Sequence, residues 1–110
     1  PYSPALKVSD LVFISGQIPL TNDGKLITGD FEKETRQVLD NISALLNDAN
    51  LTWDNVIKVG IFTTDLSQFN LINTIYAEYV SAPFPARAAV EVAALPKGAR
   101  IEMEAIAHVK

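Results

Sequence analysis

With 110 residues, 48% of them hydrophobic and 20% charged, the chain has enough apolar side chains for one core and no stretch biased toward disorder. A net charge of −4 argues against nonspecific nucleic-acid binding, which rests on Lys and Arg neutralising phosphates. The lack of cysteine excludes disulfides, a thiolate nucleophile and a cysteine-ligated metal, and no apolar run reaches the roughly 20 residues that span a bilayer, so a soluble, cytoplasmic protein is expected.

The chain opens at Pro1 rather than methionine, which predicts that a preceding segment, with any targeting information in it, has been removed or left out. Tyr2 to Lys7 is a weak first strand. Leu11 to Leu20, with Val12, Phe13, Ile14 and Ile18, is a dense apolar run of strand length that ends in the turn signal Thr21-Asn22-Asp23-Gly24. Asp30 is a good N-cap for an amphipathic helix whose apolar positions are Phe31, Val38, Leu39, Ile42, Leu45 and Leu46. Trp53, between this helix and the next strand, reads as core or boundary packing. Val56 to Thr64 is β-branched and nearly continuous, and Asp65 caps a second helical pattern through Leu66, Phe69, Ile72, Tyr76 and Tyr79. Ala88 to Leu95 and Arg100 to Val109 read as two strands, with Pro96-Lys97-Gly98-Ala99 predicted as a hairpin between them. The order is ββαβαββ in a single domain over residues 1–110, with no linker, repeat or low-complexity tract.

Val12 and Ile14 point to one side of their strand and Leu11 and Phe13 to the other, so both faces are expected to be covered. Two helices in the usual right-handed α/β arrangement share one face of the sheet. The other face then needs a second subunit. In the last strand, Ile101, Met103, Ala105, Ala107 and Val109 make one apolar row, while Arg100, Glu102, Glu104 and His108 line the opposite row around Ile106. Gly60 inside a strand predicts close approach of a helix or neighbouring backbone.

The chemistry is carried by Arg87, before one strand, and Glu102, inside the next. A guanidinium can hold a carboxylate through two parallel hydrogen bonds, and a carboxylate nearby can steer water or move a proton. The pair points to chemistry on a small acid. Spacing alone does not choose between Glu102 and Glu104, which share a row. His108 has no second histidine to work with, so neither catalysis nor a metal site is expected from it. No P-loop or dinucleotide glycine pattern is present.

Several motifs together resemble the RidA (YjgF-like) reactive intermediate enamine/imine deaminases. These are Pro1-Tyr2-Ser3, Ser15-Gly16-Gln17-Ile18-Pro19, Asn73 with Tyr76, and Pro85-Ala86-Arg87 followed by Leu95 and Ile101-Glu102-Met103. The resemblance covers essentially the whole chain. It implies an α+β, chorismate-mutase-like fold with two helices packed on one face of a mixed β-sheet, assembling as a trimeric barrel with sites between subunits. Two positions depart from the family pattern. Ala89 stands where close relatives often have cysteine, and Ala94 replaces a frequent arginine, removing a potential intersubunit ion pair.

The resemblance further implies hydrolysis of 2-enamine or 2-imine acids, such as 2-aminoacrylate, to 2-keto acids and ammonia, without cofactor or metal. Arg87 would anchor the carboxylate and Glu102 would orient or activate water. Tyr2, the Ser15 and Gly16 backbone, and Asn73 would line the pocket. The expected partners are a small imino or keto acid and two further copies of the chain, with neither membrane nor nucleic acid. A noncatalytic acid-sensing or partner-binding trimer, regulatory or holdase, is the alternative. RNA cleavage, a third class, is disfavoured by the acidic charge, the single histidine and the lack of a basic and aromatic stripe.

Overall fold

Asp30 starts the long helix: its carboxylate accepts a hydrogen bond from the Lys33 N–H, satisfying one of the amides that a first turn leaves free. The computed structural model describes residues 1–110, and this helix, α1, spans Phe31–Asp48. Val38, Leu39, Ile42 and Leu46 fall on one stripe and are almost fully buried. Asp65 also caps as expected, but its carboxylate accepts from Ser67 N–H in a 3-10 turn, Leu66–Gln68, that precedes the shorter helix α2, Phe69–Tyr76.

The strands are β1 (Ala5–Val8), β2 (Leu11–Gln17), β3 (Val56–Thr63), β4 (Ala86–Glu91) and β5 (Ile101–His108), so the ββαβαββ order holds. They form one mixed sheet in the order β1-β2-β5-β3-β4, all neighbours antiparallel except β3 and β4. Pro19 cannot donate to a ladder, and β2 stops at Gln17 instead of running to Leu20. Thr21 to Gly24 then turns as expected, with Gly24 N–H bonded to the Thr21 carbonyl and Gly24 at φ 83°.

The predicted hairpin is not formed. β5 inserts between β2 and β3, and β4 lies outside β3, parallel to it, after the crossover through α2. Residues 92–100 carry the chain across the end of β3, held by Val92 N–H to the Thr63 carbonyl and Thr64 N–H to the Arg100 carbonyl. Pro96–Gly98 is a tight 3-10 turn with Lys97 at φ 59°. β4 consequently starts at Ala86, so Arg87 lies inside the strand rather than before it.

One face of the sheet carries Val12, Ile14, Val59, Ile61, Ile101, Met103, Ala105 and Ala107, which form a single core with both helices. The other is not covered within the chain: Leu6, Val8, Phe13 and Val90 are 40–56% exposed there, as expected when both helices share one face. Arg100 also leaves its expected row. It precedes β5 and turns to α1, where its guanidinium pairs with the buried Glu34 carboxylate and lies over the Phe31 ring. Trp53 packs at the boundary as expected, its indole N–H donating to the Ser43 hydroxyl and its ring edge-on to Tyr76 and Tyr79. No helix is long and apolar enough to cross a membrane.

Candidate active site

On the open face, β5 projects Glu102 and Glu104 toward its two neighbours, and in each case a glycine makes room. The Glu102 carboxyl lies over Gly16 of β2, so close that a Cβ there would collide with it. Glu104 lies over Gly60 of β3, with its Cγ 3.2 Å from the position a Cβ would take. Gly60 is therefore approached by a side chain, not by the helix or backbone expected of it. The register of β2 against β5 shifts between Ile14 and Gln17, which leaves Ser15 and Gly16 in an irregular stretch beside Glu102.

Glu102 borders a cavity of about 520 Å³, within the range of small-molecule sites, together with Tyr2, Ser15, Gly16, Gln17, Ile18, Leu20, Pro96 and Lys97. Ser15 helps to build this cavity through the N-terminal segment: its hydroxyl donates to the Ser3 carbonyl and its N–H to the Pro4 carbonyl. That tether holds Tyr2 at the rim, where it is 79% exposed. Partial burial raises the proton affinity of Glu102 above that of an ordinary glutamate, and the Glu104 charge on the same face raises it further. A carboxyl tuned in this direction is suited to proton transfer.

Arg87 and Asn73 are elsewhere. Arg87 is paired with Val59 across β3, whereas Glu102 is paired with Phe62. Residues 59 and 62 of one regular strand point to opposite faces. Arg87 thus shares the helix-side face, at the sheet edge, and its guanidinium donates to the Asn73 side-chain oxygen of α2 at 2.7 Å. Of the three arginines, Arg36 binds Glu32 and Glu78, and Arg100 binds Glu34. Arg87 alone has no carboxylate partner within the chain. Tyr2, Ser15, Gly16 and Glu102 are therefore brought together around one cavity, and Arg87 with Asn73 form a separate cluster on the other side of the sheet.

Five cavity residues were missed from sequence: Gln17, Ile18, Leu20, Pro96 and Lys97. Ile18 and Leu20 read as strand continuation, and Lys97 as a hairpin residue; Pro19 and the Pro-Lys-Gly turn were the available signals that these backbones leave the ladder. No cluster of three or more histidine, cysteine or acidic side chains is arranged to hold a metal.

A family model described as Endoribonuclease L-PSP matches residues 1–109. The chain is 48% identical to Protein HMF1 of Saccharomyces cerevisiae over 106 residues, covering 96% of this chain and 82% of that protein. It is 44% identical to the 2-iminobutanoate/2-iminopropanoate deaminase of Homo sapiens over 108 residues, covering 97% and 79%. Among solved structures, a protein of the conserved Rid family, YyfA from Yersinia pestis, superimposes with a TM-score of 0.96 at 49% identity, covering 99% of this chain and 88% of that one.

Proposed function

The chain belongs to the RidA (YjgF-like) family, whose model is described as Endoribonuclease L-PSP, and on that premise we propose that it hydrolyses reactive 2-imino acids and their enamine tautomers to 2-keto acids and ammonia. The observation that carries this reading is the state of Arg87: a full positive charge held by a neutral amide, with no carboxylate of its own chain to satisfy it. A small acid supplies the missing partner, each charge-assisted hydrogen bond contributing about 1.5–3 kcal/mol.

The reaction needs no covalent nucleophile. An enamine such as 2-aminoacrylate takes a proton on carbon to become the iminium. Water oxygen then adds to C2 as Glu102 accepts a proton from it. Collapse of the resulting carbinolamine breaks the C–N bond, releases ammonia with the proton that Glu102 returns, and forms the C2 carbonyl as the hydroxyl proton passes to solvent, replacing the solvent proton taken up at carbon in the first step. Arg87 fixes the carboxylate throughout, Asn73 holds Arg87, and Tyr2 with the Ser15 and Gly16 backbone closes the cavity around the reacting carbon. No cofactor takes part.

Because Arg87 and Glu102 face opposite sides of one sheet, a complete site combines the Arg87 edge of one copy with the Glu102 cavity of another. The exposed Leu6, Val8, Phe13 and Val90 provide the apolar surface for such an assembly. Three copies, each a single domain, close the ring with three such clefts. Light scattering that finds a monomer at micromolar concentration would remove this arrangement.

The deciding assay generates the imine with threonine or serine dehydratase and follows keto-acid release. Acceleration by wild type and its loss in Arg87→Ala are expected. If wild type accelerates nothing across several amino-acid precursors, the Arg87 cluster instead serves a noncatalytic acid-sensing or partner-binding trimer, a role that the separation of anchor and carboxylate in one chain also accommodates.

A further inference from the structure

Phe69, Asn73 and Tyr76 recur at i, i+4 and i+7 and therefore share one face of α2. All three meet the same partner. The Arg87 guanidinium carbon is 5.4 Å from the Phe69 ring centre and 5.1 Å from that of Tyr76, while Asn73 accepts one of its N–H groups. We propose that Phe69 and Tyr76 are positioning residues that fix the plane of the Arg87 guanidinium, so that the N–H groups not used by Asn73 are presented together to the substrate carboxylate. The proposal rests on the assignment of Arg87 as the carboxylate anchor.

The other two arginines show why such a cradle is required. Arg36 is oriented by a two-point ion pair with Glu78, and Arg100 by Glu34 with one ring beneath it. An acidic residue would orient Arg87 equally well, but it would also occupy the fork and repel an incoming acid. Aromatic faces attract the cation without accepting its hydrogen bonds, so they restrict its orientation and leave its donors free. An arginine that is exposed within the chain, as Arg87 is, otherwise samples many rotamers, and every one lost on binding weakens affinity.

Tyr76 is itself held from behind. It is 7% exposed, and Trp53, tethered through its indole N–H to Ser43, meets it edge-on at 6.5 Å. Its hydroxyl is enclosed and has no hydrogen-bond partner in the chain. The ring is thus the part of Tyr76 that engages Arg87, and phenylalanine should serve in its place.

The test uses the intact chain and 2-oxobutanoate as probe, with affinity measured by calorimetry, KM and kcat from the dehydratase-coupled assay, and the side-chain Nε–H resonance of Arg87 followed by NMR. Phe69→Leu, at a half-buried position, and Tyr76→Leu are expected to weaken 2-oxobutanoate binding and raise KM about tenfold, with kcat within about threefold of wild type. Both should move the Arg87 Nε–H resonance downfield as the ring current is lost. Tyr76→Phe should restore affinity and resonance nearly to wild type. Leu variants that melt normally and leave affinity and resonance unchanged would overturn the proposal, as would a Tyr76→Phe protein as impaired as Tyr76→Leu. The resonance reports orientation even if wild type shows no turnover, so failure of the deaminase reading is seen separately, as absent keto-acid release with an intact ring-current shift.

Discussion

The Glu102 carboxyl occupies the space that a side chain at Gly16 would need, with its Cδ 2.9 Å from the position of a Cβ. The obstructing atoms are the far end of a flexible side chain, and Gly16 does not have a positive φ. Gly16→Ala should therefore push Glu102 out of the cavity while leaving the sheet intact. We expect a loss of about 10²-fold in kcat/KM, the size of a misplaced proton-transfer group, with stability within about 1 kcal/mol of wild type. Parallel kinetics and urea denaturation separate the two; an active Gly16→Ala protein would mean that Glu102 does not act from this position.

Glu102 holds its proton more tightly than an ordinary glutamate, first through burial and then through Glu104. With the folded-state value raised, its favourable contribution to stability is complete below about pH 4.5, the unfolded value, and is lost as pH rises through the folded value. Glu102→Gln should accordingly be more stable than wild type at neutral pH, with the gap closing in acid. If Glu102 takes the proton from water as proposed, the ionised form is the active one and the acid limb of kcat/KM should lie above the usual glutamate range. Glu104→Gln should move that limb to lower pH; a limb that stays in place would show that the Glu104 charge is not felt.

Arg100 satisfies a carboxylate that is almost entirely enclosed: the Glu34 side chain is 2% exposed and that of Arg100 41%. Glu34 also accepts the Asp30 N–H, so the pair ties the start of α1 to the approach to β5. Arg100→Ala should cost about 3 kcal/mol by stranding the buried charge, whereas replacing both partners with Met should cost about 1 kcal/mol or less. Urea midpoints for Arg100→Ala, and for Arg100→Met, Glu34→Met and the double Met variant as a cycle, check this.

Arg87→Ala and Glu102→Gln should each abolish turnover, yet damage different halves of a shared cleft. If each cleft combines an Arg87 from one chain with a Glu102 from the next, as proposed, refolding a mixture of the two should recover activity in about one site in four for random equal mixing. A mixture as inactive as its components would argue that each site lies within one subunit.

The sequence by itself determined whatever depends on neighbours along the chain. The alternation of Ile101, Met103, Ala105 and Ala107 placed the buried row of β5, Asp30 and Asp65 marked where helical turns begin, and Thr21 to Gly24 marked a turn, because periodicity, capping and turn chemistry act over a few residues. The motifs likewise singled out Glu102, Tyr2, Ser15 and Gly16, which converge on one cavity. Tertiary structure alone decided which strand lies beside which. A local pattern cannot say that β5 enters between β2 and β3, so β4 and β5 read as a hairpin although they do not touch as neighbours. The same limit hid the relation between Arg87 and Glu102, whose opposite faces follow from pairings with Val59 and Phe62. It also hid the partner of Arg100, 66 residues away at Glu34. Which side chains meet across such separations is settled by burial of the whole core, where registers that place Ile61 and Met103 together leave each charged residue a single face to occupy.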